Sequence, residues 1–160
     1  MSDLSDFEEG ILANIKDHGC QVNHVFDPDG EEAGKSYSIG FPETVGQPEV
    51  ICFGLDHKLM HSMIDEICRR CREGFLIEDR KRISDLLDGF DCELRRVLPE
   101  NIVVDHFASA MWYSEHSDRG QMSDAFQIVW PGAVNGLFPW EDGAAPDVID
   151  MQPALYEAAK

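Results

Sequence analysis

The sequence predicts an α+β fold: a single domain with a mixed sheet of about five strands and three main helices. Three observations carry this. Apolar residues recur at every third or fourth position in three segments, the spacing of helices with one buried face. Short β-branched and aromatic runs stand between them, as in Val50-Ile-Cys-Phe53 and Ala125-Phe-Gln-Ile-Val-Trp130. The 160 residues, 43% hydrophobic and 28% charged, have the balance of one globular domain able to bury a core.

Residues 5–18 read as the first helix. Ser5 caps it and Glu8 stands three positions later, the spacing at which the two side chains satisfy each other's unpaired amides. Phe7, Ile11 and Ile15 form its apolar stripe, and His18 and Gly19 end it. Residues 20–26 and 37–41 read as two strands of a hairpin, with Asp27-Pro-Asp-Gly30 as a turn. Residues 43–48 read as a loop after Pro42. Residues 50–53 are continuously apolar, as in a strand covered on both faces. Asp56 caps a long helix reaching Glu73, with Met60, Ile64, Ile67 and Cys71 inward and Gly74 as the stop. The stretch 75–91 fits two patterns, a short strand at 75–77 and a turn or helical remnant at 86–89. Residues 93–98 form a strand closed by Pro99, residues 104–115 a helix with Phe107 and Met111 inward, and residues 125–130 the last strand. Strand–helix–strand passages over 49–98 and 92–130 predict partly parallel pairing with right-handed crossovers. The domain is assigned to residues 1–143. Residues 144–160 are an acidic, alanine-rich C-terminal tail, with a helical turn expected at 153–159.

The formal charge is −18. Phosphate backbones and anionic membrane surfaces repel such a chain at long range, so neither nucleic acid nor membrane is an expected partner. Residues 69–96 depart from the rest, with eight bases against seven acids, a net of +1 that leaves −19 elsewhere. Arginines at a helix end complement its dipole, which is the plainer reading of this cluster; the sharper one is an anion or phosphate site on an otherwise acidic body. The N-terminus has no basic region followed by an apolar segment, and nowhere do about 18 apolar residues run together, so a cytoplasmic protein is expected. Five cysteines in apolar patterns fit reduced, buried thiols.

Motifs of established chemistry fail on their surroundings. Cys68-Arg-Arg-Cys71 has redox spacing but lies late in a helix, where the dipole disfavours a thiolate. His57 and His61 stand four apart like metal ligands, but Lys58 occupies the place of the glutamate in the zinc-protease motif. Asp27 and Asp29 open like a calcium loop, yet Gly30 arrives too early and Ser38 stands where the closing glutamate belongs. No metal and no cofactor is therefore expected, and no nucleophile elbow, P-loop or dinucleotide fingerprint occurs.

What remains is a loop that is apolar where loops are ordinarily polar: Trp130, Phe138 and Trp140 within Trp130-Pro … Phe138-Pro-Trp140. Gly40, late in a strand, marks a bulge or a close approach, and Glu43 or Glu49 can place a carboxylate beside it. A cleft between the strand end at Tyr37, Gly40 and Glu43 and the 130–140 loop is the expected small-ligand site. His106 and Gln127 are its polar candidates, with Arg95 and Arg96 added for an anionic ligand. Whether such a site performs chemistry is open. The alternative is an immunity- or inhibitor-like module whose acidic surface neutralises a basic partner protein.

Tyr-Ser-Ile-Gly-Phe (37–41), Pro-Glu-Val-Ile-Cys-Phe-Gly-Leu (48–55), Glu-Gly (73–74) and Gln-Ile-Val-Trp-Pro … Gly-Leu-Phe-Pro-Trp-Glu (127–141) occur in an order that resembles a bacterial family of domains of unknown function. The resemblance spans residues 7–143. It implies kinship without an activity. Ser38 stands for the family's usual Thr, and Gly132 stands where an Asp is expected, so any role of that acid is absent or moved here.

Overall fold

Ser5 accepts the Glu8 amide and Glu8 accepts the Ser5 amide, the reciprocal cap that starts α1 (Asp6–His18). Gly19, at φ +94°, ends it in the left-handed conformation. The computed structural model describes residues 4–26, 34–87, 89–117 and 120–157. The turn at 27–30 and the calcium-like aspartates lie outside them.

The remaining elements are β1 (Gln21–Val25), β2 (Lys35–Ile39), α2 (Phe41–Val45), β3 (Glu49–Phe53), α3 (His57–Arg72), β4 (Arg82–Leu87), β5 (Phe90–Arg96), α4 (Val104–His116), β6 (Ala125–Val129) and α5 (Pro146–Met151). Six strands form one mixed sheet in the order β1-β2-β3-β6-β5-β4. β3 and β6 pair in parallel at its centre, Glu49 opposite Ala125 and Cys52 opposite Ile128, and every other pair is antiparallel. The mixed α+β sheet expected from the sequence is thus present, as are its three longer helices.

Alternation of side chains divides the core into two layers. Val50, Cys52, Phe126, Ile128, Leu94 and Ile83 face α3, meeting Met60, Met63, Ile64 and Ile67. Tyr37, Ile39, Ile51, Phe53 and Ala125 face α1 and α4, meeting Ile11, Phe107 and Ala110.

Four local expectations are corrected. The stretch after Gly40 is helical, not a loop, because Pro42 occupies the first turn of α2, where a missing amide costs nothing. Residues 75–77 form no strand, whereas 82–87 form β4. Asp85, at φ +66°, lies where the β4–β5 register shifts between Ile83 and Leu87, and this bulge breaks the alternation that marks a strand. The parallel pairing lies between β3 and β6, while β5 meets β6 antiparallel.

The residues after Gly143 lie against the sheet. Two buried glutamines hold them there. Gln152 accepts the Trp130 amide at 3.0 Å and donates to the Trp130 carbonyl at 2.9 Å. Gln127 donates to the Pro153 carbonyl at 2.9 Å and accepts the Leu155 amide at 3.0 Å. Tyr156 bridges to Val97 at the end of β5. The helical turn expected at 153–159 is found earlier, in α5.

Candidate functional site

β3 runs from Glu49 to Phe53, and its two ends separate the two halves of the cleft expected from sequence. Gly40 stands at the Glu49 end, where its amide donates to the Glu49 carboxylate at 2.7 Å. Trp130 stands at the other end, its indole Nε1 donating to the Phe53 carbonyl at 2.7 Å. The 37–43 strand end and the 130–140 loop therefore occupy opposite ends of the central strand pair and share no cleft. Each half finds its own partner. Phe138 and Trp140 stack with centroids 4.9 Å apart, beside Val129 and Tyr156. The Arg95 guanidinium is held 4.7 Å from the Trp140 ring centroid and 4.8 Å from that of Tyr156. The aromatic loop is thus a lid over a buried arginine, which explains its apolar composition.

The other named residues disperse. Tyr37 is a core residue whose hydroxyl accepts the Ser109 amide at 3.0 Å, tying α4 to β2. His106 lies beside Lys35 and the Phe53 ring. Gln127 clamps the C-terminal segment. Arg96 points to the opposite face from Arg95, over Phe126, and pairs with Asp124 at 2.5 Å. Glu43 is exposed in α2.

The residue that gathers chemistry is Glu49, which opens an otherwise apolar strand. Its side chain is 3% exposed. Oε1 accepts the Ser38 hydroxyl at 2.7 Å and the Phe41 amide at 3.2 Å, and Oε2 accepts the Gly40 amide. Ser38 in turn accepts the Val50 amide at 2.9 Å, so its proton is committed to Glu49. Gly40 is required for this cradle. Its φ is +107°, and a Cβ there would meet the Ile15 side chain at 3.0–3.2 Å. Burial pushes the Glu49 carboxyl from an ordinary 4.5 to about 7, against the lowering pull of Ser38, Gly40 and Phe41. Among the described residues no cation pairs with it.

Glu49 also lines a cavity of about 390 Å³ at the N-terminal ends of β3 and β6. Pro42 and Pro48 wall it from the α2 side, Ala110 and Tyr113 from α4, and Met122 from the approach to β6. The signal for it in the sequence is Glu49 itself, a charge at the start of a doubly covered strand.

All five cysteines are buried and unpaired by disulfides. Cys68 and Cys71 both belong to the core layer under α3; burial raises Cys71 to about 11, and Cys68 also lines a cavity together with Cys20. His61 bonds Asp65 at 3.1 Å and His24 at 3.3 Å. Among the described residues no group of three or more His, Cys, Asp or Glu is placed to hold a metal, and no helix is long and apolar enough to cross a membrane.

The class is that of a single α+β domain built on one mixed six-stranded sheet. The family model of a domain of unknown function, DUF4262, matches residues 14–145, and the chain belongs to that family. No curated protein and no solved structure matches it. Gly132, where the resemblance places an Asp, is buried; a Cβ there would meet the Val148 side chain at 3.1 Å and that of Asn135 at 3.2 Å, so these would have to give by a few tenths of an ångström to admit an Asp.

Proposed function

We propose that this domain binds a small organic cation, an amine or guanidine, in the cavity floored by Glu49. One observation carries the reading: Glu49, a buried acid that lines a cavity, has backbone and hydroxyl donors to its carboxyl but, among the described residues, no cationic partner. A buried carboxylate without an opposite charge is costly, and a ligand cation supplies that charge. Proline, alanine and methionine walls suit the hydrocarbon part of such a ligand. The charge of −18 favours the approach of cations.

The test is the melting temperature of the full chain against a panel of primary amines, amino sugars, guanidines and quaternary ammoniums. A ligand at 100 times its Kd stabilises by about 2.7 kcal/mol, which raises Tm by several degrees in a domain of this size. At least one member is expected to do so with wild type and not with Glu49→Gln. A panel without effect, or an equal shift in the variant, contradicts the reading.

The −19 carried outside residues 69–96 favours a second reading, an acidic surface that neutralises a basic partner protein. Its partner would be captured at low salt and released as salt rises, and Glu49→Gln, which abolishes amine binding on the first reading, would leave that capture unchanged.

A further inference from the structure

On the α3 side of the sheet a second cavity of about 510 Å³, with a different lining from the first, opens between α1, β1 and α3. Cys20, Cys68, Asp65, His61 and Arg72 all line it. Cys20 comes from the residue after the α1 cap, and Cys68 from the fourth turn of α3. Both thiols line this one cavity, and each lies near enough for its charge to act on the other. Cys20 Sγ also lies 4.0 Å from Asp65 Oδ1, and the other oxygen of Asp65 is 3.1 Å from His61 Nε2. Arg72 stands one turn beyond Cys68, its guanidinium pinned at 2.7 Å to the His18 carbonyl. A pair of thiols in one cavity, with a fixed cation and a carboxylate–imidazole pair at its rim, is more than packing requires.

We propose that Cys20 and Cys68 form a dithiol site that exchanges with low-molecular-weight disulfides, Cys68 attacking first and Cys20 resolving. The two thiols are unequal in the required sense. The Cys20 thiol and the charge of Arg72 hold the Cys68 thiol down at about 7 although burial and Asp65 oppose them, while the Cys68 contact, burial and the Asp65 carboxylate 4.0 Å away, with Glu49 adding to it, push Cys20 well up. Cys68 Sγ⁻ attacks one sulfur of RSSR; the S–S bond breaks and RS⁻ leaves, taking a proton from solvent. Cys20 then loses its proton toward Asp65 and the His61 ring and attacks Cys68 Sγ. The Cys20–Cys68 bond forms and the second RS⁻ departs as RSH. The protein dithiol is oxidised by two electrons and RSSR is reduced to two thiols. Cys71 takes no part, since the cavity is lined by Cys20 and Cys68 and not by Cys71.

This inference does not depend on cation binding at Glu49: Glu49→Gln removes the carboxylate on which that reading rests and is expected to leave the thiol count as in wild type, which separates the two. The full chain is incubated with glutathione disulfide without oxygen, quenched in acid, alkylated and mapped by peptide mass spectrometry. Wild type is expected to lose two of its five thiols and yield a cross-linked Cys20–Cys68 peptide pair. Cys20→Ser is expected to accumulate glutathione on Cys68, and Cys68→Ser to give neither product. Exposed Arg72, replaced by Gln, needs no repacking of the core and is expected to slow the first step by about threefold at neutral pH. Five unreacted thiols, an adduct confined to another cysteine, or an Arg72→Gln rate equal to wild type overturns the proposal.

Discussion

Replacing Glu49 with Gln keeps the side chain's shape and removes its ionisation, so the two proteins differ in how stability responds to pH. The folded carboxyl is raised from 4.5 to about 7 by burial. Between those values the folded chain holds a proton that the unfolded chain has released. Rising pH therefore favours unfolding: the stabilisation is fully present below pH 4.5, is lost as pH rises through about 7, and is constant above. At about 1.4 kcal/mol per pH unit, the full loss is about 3 kcal/mol. Gln adds a pH-independent offset, because its amide hydrogens confront the Gly40 amide or forfeit the Ser38 bond, on the order of 1–3 kcal/mol. Urea unfolding followed by tryptophan fluorescence from pH 4 to 8 measures both proteins. All other titrating groups, including the many surface acids, act on both and cancel in the difference. Wild type is expected to lose stability relative to Glu49→Gln across this window by about 3 kcal/mol. Parallel curves would refute the buried, near-neutral carboxyl.

Three other substitutions probe the frame around it. Gly40→Ala places a Cβ against Ile15 at a positive φ and is expected to cost about 1–3 kcal/mol in denaturant unfolding. Gln152→Ala strips both backbone groups of Trp130 of their partner, so a loss of about 1–3 kcal/mol is expected, with faster proteolysis after Gly143. Trp140→Ala removes the stack on Phe138 and uncovers Arg95; about 2–3 kcal/mol should be lost in the same assay, with no change in amine binding at the opposite end of the sheet.

The local parts of this fold were legible where one residue type has one physical use. Ser5 with Glu8, Asp56 before α3, and the apolar runs of β3 and β6 each specify an element through nearest neighbours along the chain. β4 was not legible, because Asp85 at a bulge breaks the period-two pattern, and α2 was hidden by a Pro42 that looks like a breaker but starts a helix. The cleft failed for a different reason. Gly40 and Trp130 were both correctly marked as unusual, but which end of β3 each one meets depends on the pairing of strands far apart in sequence. Glu49 was visible as a carboxylate near Gly40; its cradle of amides and its cavity were not, since Ser38, Tyr113 and Met122 converge only in the folded sheet. The partner of Cys68 was hidden likewise: Cys71 is three positions away, but a buried stripe on α3 claims it, and Cys20 arrives from another element.

The central claim, that an uncompensated carboxyl receives a cationic ligand, is tested most directly by calorimetric titration of the panel's strongest amine at pH 6 and pH 8. With Glu49 near 7, the ionised fraction rises from roughly a tenth to nine tenths, so affinity is expected to rise about tenfold in wild type. Glu49→Gln is expected to bind weakly and without that pH dependence. Equal affinity at both pH values in wild type, or the same profile in the variant, would contradict it.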